Sequence, residues 1–238
     1  MTKVPFQTGT GTVRNGRMAT QNQCSWNLAI SRQPGQETGP MRDVRRRERS
    51  RGALSRVWFF ARNFLRYPVM QGSLVPSSPF LVNDVLRRVD WENARLVVEL
   101  GPGIGTLTQA ILKRMHPEAA LVAIELNADF VGFLRDEVED PRLHVVRGSA
   151  ADVGKILADL KLSQVDYIIS SLPYTNMRDS ARREILQESR RVLAPKGALL
   201  IFQYTTKVLP YLRSCFKSVH QDFQVLNVPP ALIFYCTR

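Results

Sequence analysis

The sequence predicts an α/β fold built on a mostly parallel, seven-stranded sheet that ends in a C-terminal antiparallel hairpin. Three observations carry this. From Leu96 onward, short apolar runs alternate with stretches of helical period, the pattern of a parallel sheet covered by helices on both faces. Within the first run, Val97-Val98-Glu99-Leu100 passes into Gly101-Pro102-Gly103-Ile104-Gly105 and then into a helical pattern. A strand that ends in such a turn sets backbone N–H groups beside a ligand. Near the end the alternation stops, and Ser218–Asn227 and Ala231–Cys236 form two apolar-rich runs joined by Val228-Pro229-Pro230, a hairpin that closes the sheet.

Taken in order, residues 1–52 show no hydrophobic period and are rich in Gly, Thr, Gln, Asn and Arg, so they are expected to be disordered. Residues 1–56 hold eleven basic side chains against three acidic ones, a net +8 of the chain's +12. That balance suits an anionic partner, either a membrane surface or nucleic acid, and equally a solvated tail. In Ser55–Tyr67, Val57, Phe60, Ala61, Phe64 and Leu65 fall on one side of a helical wheel and Arg56, Arg62, Asn63 and Arg66 on the other. Such a helix fits an anionic phospholipid surface, a cap whose aromatics enter the core, or stacking on nucleic-acid bases. Pro68 ends it. Gly72–Ser78 is a polar turn, and Ser77 or Ser78 caps a helix over Pro79–Val89. The strands fall at 96–100, 121–125, 143–147, 165–170 and 198–203, with helices near 105–115, 128–138, 152–161 and 179–193. The domains expected are a disordered basic segment at 1–52, amphipathic membrane or cap helices at 53–90 and the α/β domain at 91–238. No stretch approaches the roughly 20 apolar residues that span a bilayer, and no signal-peptide core is present. Cys24, Cys215 and Cys236 make neither a metal spacing nor a disulfide framework, so no metal is expected.

In doubly wound sheets ligands bind at the carboxyl ends of the strands. Those ends are Glu99–Gly105, Glu125–Asn127, Gly148–Ala151, Ser170–Tyr174 and Gln203–Thr205, and each turns polar or glycine-rich where the apolar run stops. Gly101 and Gly103 lack a Cβ and let a ligand approach the backbone. Glu125 closes the second run about one βα unit after the glycines, the place of an acid that binds ribose hydroxyls. The glycines are spaced G-x-G-x-G, and the lysine of a phosphate loop is absent. His116, His144 and His220 fall outside this crevice and are expected to be structural or at the surface.

With Glu99 before the turn and Glu125 after the second strand, the chain resembles the Rossmann-like class I S-adenosylmethionine-dependent methyltransferases. Over roughly residues 55–238 it is similar to bacterial phospholipid N-methyltransferases. The shared pieces are the basic aromatic helix, a Gly-x-x-x-Pro-Ser turn (Gly72 to Ser77), the Glu-Leu-Gly-Pro-Gly turn and a Ser-x-Leu-Pro turn (Ser170 to Pro173). To these are added Tyr204 after the fifth strand, Pro210, and an Asn-x-Pro-Pro-Ala hairpin (Asn227 to Ala231). Leu172-Pro173-Tyr174 also resembles the Asn-Leu-Pro-Tyr of ribosomal RNA adenine dimethyltransferases, with Ser171 in place of the asparagine. The resemblance implies S-adenosyl-L-methionine as cofactor, held by Ser73, Glu99, Gly101, Gly103, Glu125, Leu126, Ser149, Ala150, Ser170 and Leu172. The family commonly has an acid where Ser149 stands, so either Ser149 or Asp152 reads the adenine. Tyr174 and Tyr204 are expected to face the acceptor, their rings holding a cationic headgroup. The implied activity is methylation of the amine of phosphatidylethanolamine or its methylated derivatives by a cytoplasmic enzyme bound peripherally to the inner membrane face, docked through Ser55–Tyr67. Methylation of RNA adenine is the second reading. Ser171 and the lack of a helical RNA-binding domain after Arg238 place it second. A non-catalytic cofactor-fold binding protein is the third.

Overall fold

The computed structural model describes residues 78–238. Ser73, the Gly72–Ser77 turn, the Ser55–Tyr67 helix and the 1–52 segment lie outside these residues. Among the described residues the order is α1 (Pro79–Leu86), β1 (Leu96–Leu100), α2 (Thr106–Leu112), β2 (Ala120–Glu125), α3 (Ala128–Glu137), β3 (Leu143–Arg147) and α4 (Val153–Asp159), then β4 (Val165–Ser170), α5 (Asp179–Val192), β5 (Leu193–Gln203), α6 (Leu209–Cys215), β6 (Ser218–Gln224) and β7 (Ala231–Thr237). Single 3-10 turns lie at Ala150–Asp152, Tyr174–Asn176 and Thr206–Val208.

The strands form one sheet in the order β3-β2-β1-β4-β5-β7-β6. The first five are parallel, and β7 runs antiparallel to both β5 and β6. Every residue of central β1 is buried, as an apolar strand covered on both faces requires. The strand order reverses between β1 and β4, which opens a crevice at their carboxyl ends. The register Gln203↔Leu232 puts the start of β7 beside the carboxyl end of β5. The β6–β7 tip therefore lies at the crevice end of the sheet.

Ser78 begins α1: its Oγ accepts the Leu81 N–H at 3.1 Å, and Pro79 takes the first helical position, where a missing N–H is harmless. Leu81, Val82, Val85 and Leu86 then pack with Val97, Ile111, Leu200, Phe202 and Ile233. Helix α1 thus belongs to the core of the sheet, and residue 90 marks no break in packing.

Strand β5 and helix α6 differ from expectation. Strand β5 starts at Leu193 rather than 198, because Leu193 pairs with Val165 before the chain bulges and pairing resumes at Ala198. Helix α6 was not anticipated, since seven residues opening on Leu209-Pro210 show less than two turns of period.

Candidate functional site

The crevice is built by five strand ends. After β1, Gly101 and Gly103 take φ of +74° and +57°, a region that strains residues with a Cβ. The Gly101 N–H donates to the Ile124 carbonyl at 3.0 Å, joining the turn to β2. A Cβ on Gly101 would lie 2.8 Å from Leu172 Cδ2, so Leu172 packs directly over this turn, while at Gly103 the same position meets open space.

Glu125 ends β2 and is buried. Its Oε2 accepts the Gly103 N–H at 3.1 Å and its Oε1 the Asn127 N–H at 2.9 Å. The carboxylate is locked between the glycine turn and the start of α3, each oxygen keeping a further lone pair. Leu126 follows it, more than half exposed, an apolar surface beside the acid. Glu99 lies wholly buried at the end of β1. Its Oε2 accepts the Thr108 hydroxyl at 2.6 Å, and its Oε1 has no partner among the described residues. Desolvation, with a smaller contribution from the Glu125 charge, pushes the Glu99 carboxyl up to about 8. Burial raises Glu125 as well. Two buried acids, one adding to the other's shift, favour a cationic ligand.

S-adenosylmethionine carries a sulfonium and an ammonium, and the residues present fit it. Space opens at Gly103 next to the Glu125 carboxylate, an unpartnered buried oxygen waits on Glu99, and Leu126 offers apolar area for a flat base. After β3, Ser149 Oγ accepts the Ala151 N–H at 3.2 Å and caps the Ala150–Asp152 turn. Gly148 N–H donates to the Glu125 carbonyl at 3.0 Å, which brings this turn beside β2. Ala150 is buried, and Asp152 is exposed.

At β4 one expectation needs correcting. Tyr174 has no exposed surface. Its hydroxyl lies 3.0 Å from Ser170 Oγ, and burial pushes its phenol well above the ordinary range. It is a post inside the turn, not a ring open to an acceptor. Ser170 is equally buried; its Oγ is taken up by Tyr174 and the Leu172 N–H, so its side chain organises the turn.

Tyr204, after β5, is half-buried, and its hydroxyl has no partner among the described residues. Gln203, which the sequence placed at a strand end, and two residues that it did not single out, Thr175 and Arg182, hold the turn beside it. Gln203 Nε2 donates to the carbonyls of Leu172 (2.9 Å) and Phe202 (2.6 Å). Thr175 Oγ1 lies 3.4 Å from Gln203 Oε1 and 3.2 Å from Thr205 Oγ1. The buried Arg182 donates from Nε to the Tyr174 carbonyl and from Nη2 to the Met177 carbonyl, both at 2.8 Å, and pairs with Asp179 at 3.1 Å. Arginine on a carbonyl gives no periodicity, so only Gln203, at a strand end, left a signal.

Residues 97–197 match a family model described as a methyltransferase domain. The ornithine lipid N-methyltransferase of Singulisphaera acidiphila is 33% identical over 181 residues, covering 75% of this chain and 94% of that protein. The ribosomal RNA small subunit methyltransferase A of Parasynechococcus marenigrum is 27% identical, covering 66% of this chain and 50% of its own length. Its Mycoplasma capricolum counterpart is 33% identical over 98 residues, 40% of this chain and 35% of its own. The chain thus spans half or less of these ribosomal RNA enzymes. Among solved structures, precorrin-6y C5,15-methyltransferase from Geobacter metallireducens superposes with a TM-score of 0.56 at 16% identity, over 73% of this chain and 99% of that one. Human methyltransferase-like protein 13 in complex with SAH superposes at 0.50 and 16% identity, over 66% and 79%. At these identities the structural likeness concerns the fold.

Proposed function

Because the chain belongs to the class I S-adenosylmethionine-dependent methyltransferases, we propose that its acceptor is the amine of a membrane lipid headgroup, either phosphatidylethanolamine and its methylated derivatives or the ornithine headgroup that the relative's name prints. The observation that carries this reading is the match to the ornithine lipid enzyme over nearly that protein's whole length. When bound, S-adenosylmethionine supplies a methyl on a sulfonium, open to displacement by an amine lone pair. The chain's own residues bind, orient and exclude water. Aligning two reactants is worth up to roughly 7–11 kcal/mol. Glu99 and Glu125 supply the negative charge for the donor, with Gly101, Gly103 and Leu126 shaping its bed. Leu172, clamped by Gln203, fixes the wall between donor and acceptor. Tyr204 is the remaining tyrosine for the acceptor side, its unpartnered hydroxyl and ring suited to an amine that must lose its proton before it attacks. The enzyme acts at the membrane surface, in keeping with the basic, aromatic Ser55–Tyr67 segment.

Radiolabelled S-adenosylmethionine offered with amine-lipid vesicles and total RNA tests this. Label in the lipid is the expected result. Label in RNA would favour the second reading, RNA adenine methylation, which the ribosomal RNA relatives support, and would overturn the lipid assignment.

A further inference from the structure

Six large apolar side chains are more than half exposed among the described residues. Leu126 lies in the crevice. The other five are Phe80, Phe223, Val225, Leu226 and Val228, and they gather at one corner. Four belong to the end of β6 and the tip that joins it to β7. Phe80 is drawn to them by Ser78, whose N–H donates to Asn227 Oδ1 and whose Oγ donates to the Leu226 carbonyl, both at 3.0 Å. Asn227 itself is buried and donates to the Pro229 carbonyl at 2.7 Å. The tip is therefore a built structure that holds its apolar side chains outward. Gln224 on Asp84 and Arg88 on Asp222 tie the same strand to α1 and to the residues just after it.

The tip stands at the crevice end of the sheet. At that end, a hollow of about 490 Å3 is lined by Arg182, Arg183, Lys207, Pro210, Tyr211 and Ser214, with no carboxylate among them. Arg182 is spent on carbonyls and Asp179. Arg183 and Lys207 are exposed.

Exposed apolar groups and exposed cations at one end of the sheet match a bilayer with anionic headgroups. We propose that the crevice end of this domain is a bilayer-docking surface: Phe80, Val225, Leu226 and Val228 enter the lipid interface while Arg183 and Lys207 contact anionic headgroups. The proposal rests on the lipid reading for its purpose, since it sets the crevice mouth against the acceptor's own phase, but its test does not.

The test is co-sedimentation of the full chain, without cofactor, with phosphatidylcholine vesicles lacking or containing phosphatidylglycerol. The double variant Leu226→Glu/Val228→Glu should bind both kinds of vesicle about tenfold more weakly. Arg183→Ala/Lys207→Ala should lose roughly tenfold, and only on the vesicles with phosphatidylglycerol. In Val228→Trp, the added indole should be quenched by brominated lipid. Unchanged vesicle binding in the Glu variant, or an indole that stays unquenched on bound vesicles, would overturn the proposal. So would a tip variant that changes the oligomeric state, since the corner would then cover a second copy of the chain. Methyl label in RNA with docking intact would remove the acceptor reading alone. Methyl label in lipid with tip-independent binding would remove the docking surface alone.

Discussion

Glu99 should make the cofactor-free protein less stable as pH rises through neutrality. An unfolded glutamate loses its proton near 4.5, and the buried Glu99 holds its proton to about 8. Between these values the folded form keeps a proton that the unfolded chain has shed, so stability is full below about 4.5 and falls as pH climbs toward 8. At about 1.4 kcal/mol per unit the window amounts to about 5 kcal/mol. Glu99 is completely buried, so solvent screening does not reduce this. Glu99→Gln places an untitratable amide there, able to accept the Thr108 hydroxyl. Urea unfolding of both proteins at pH 5, 6, 7 and 8 checks the reasoning: the wild type should lose several kcal/mol more across the series. Bringing a cation into the crevice lowers the same pKa, so S-adenosylmethionine binding at pH 7 should release protons from the wild type and fewer from the variant. Calorimetry in buffers of different ionisation enthalpy reads this directly. Parallel stability curves for the two proteins would refute the assignment of a neutral, buried Glu99.

Four further outcomes follow from the same geometry. Glu125→Ala removes the carboxylate held by the Gly103 and Asn127 N–H groups and should weaken S-adenosylmethionine binding about 10- to 100-fold by calorimetry, the worth of one or two charge-assisted hydrogen bonds. Gly103→Ala meets no neighbour and should cost only about 1–2 kcal/mol in backbone strain, yet reduce cofactor affinity by more than tenfold. Tyr204→Phe removes a buried hydroxyl with no partner among the described residues, so its melting temperature should hold or rise while kcat falls. Arg182→Ala removes the side-chain donors to the carbonyls of Tyr174 and Met177 and should destabilise the fold by about 2–4 kcal/mol in urea.

The sheet was legible because its strands are nearly continuous apolar runs, and four of the five parallel strands began within one residue of expectation. Strand β5 was misplaced at its start because Pro195 and Gly197 interrupt the run, whereas the pairing of Leu193 with Val165 is a fact about another strand. The place of Glu125 at the end of β2 could be read from the sequence, since it closes the second apolar run. Tyr174 could not. The same Leu-Pro-Tyr turn permits a ring that faces outward or one folded under the turn, and the choice fell to Ser170 Oγ and the Tyr174 hydroxyl, partners whose direction the sequence does not carry. Gln203 and Arg182 act on backbone carbonyls 31 and 8 residues away, contacts that leave no compositional trace.

The seventh strand has a consequence for how the protein is made. Although β7 comes last in the sequence among the seven, it lies between β5 and β6. On the ribosome, β6 therefore emerges with nothing to pair with, and β5 with one edge bare, until Ala231–Thr237 has left the exit tunnel. The apolar corner is unlocked over the same interval, because Asn227 must bend back to a serine made 149 residues earlier. Closure of such distant pairs is slow, and it leaves strand edges open to other chains in the meantime. A messenger cut short after Asn227 would yield a polypeptide holding the whole cofactor crevice and a sheet that cannot be finished, a natural client for chaperones.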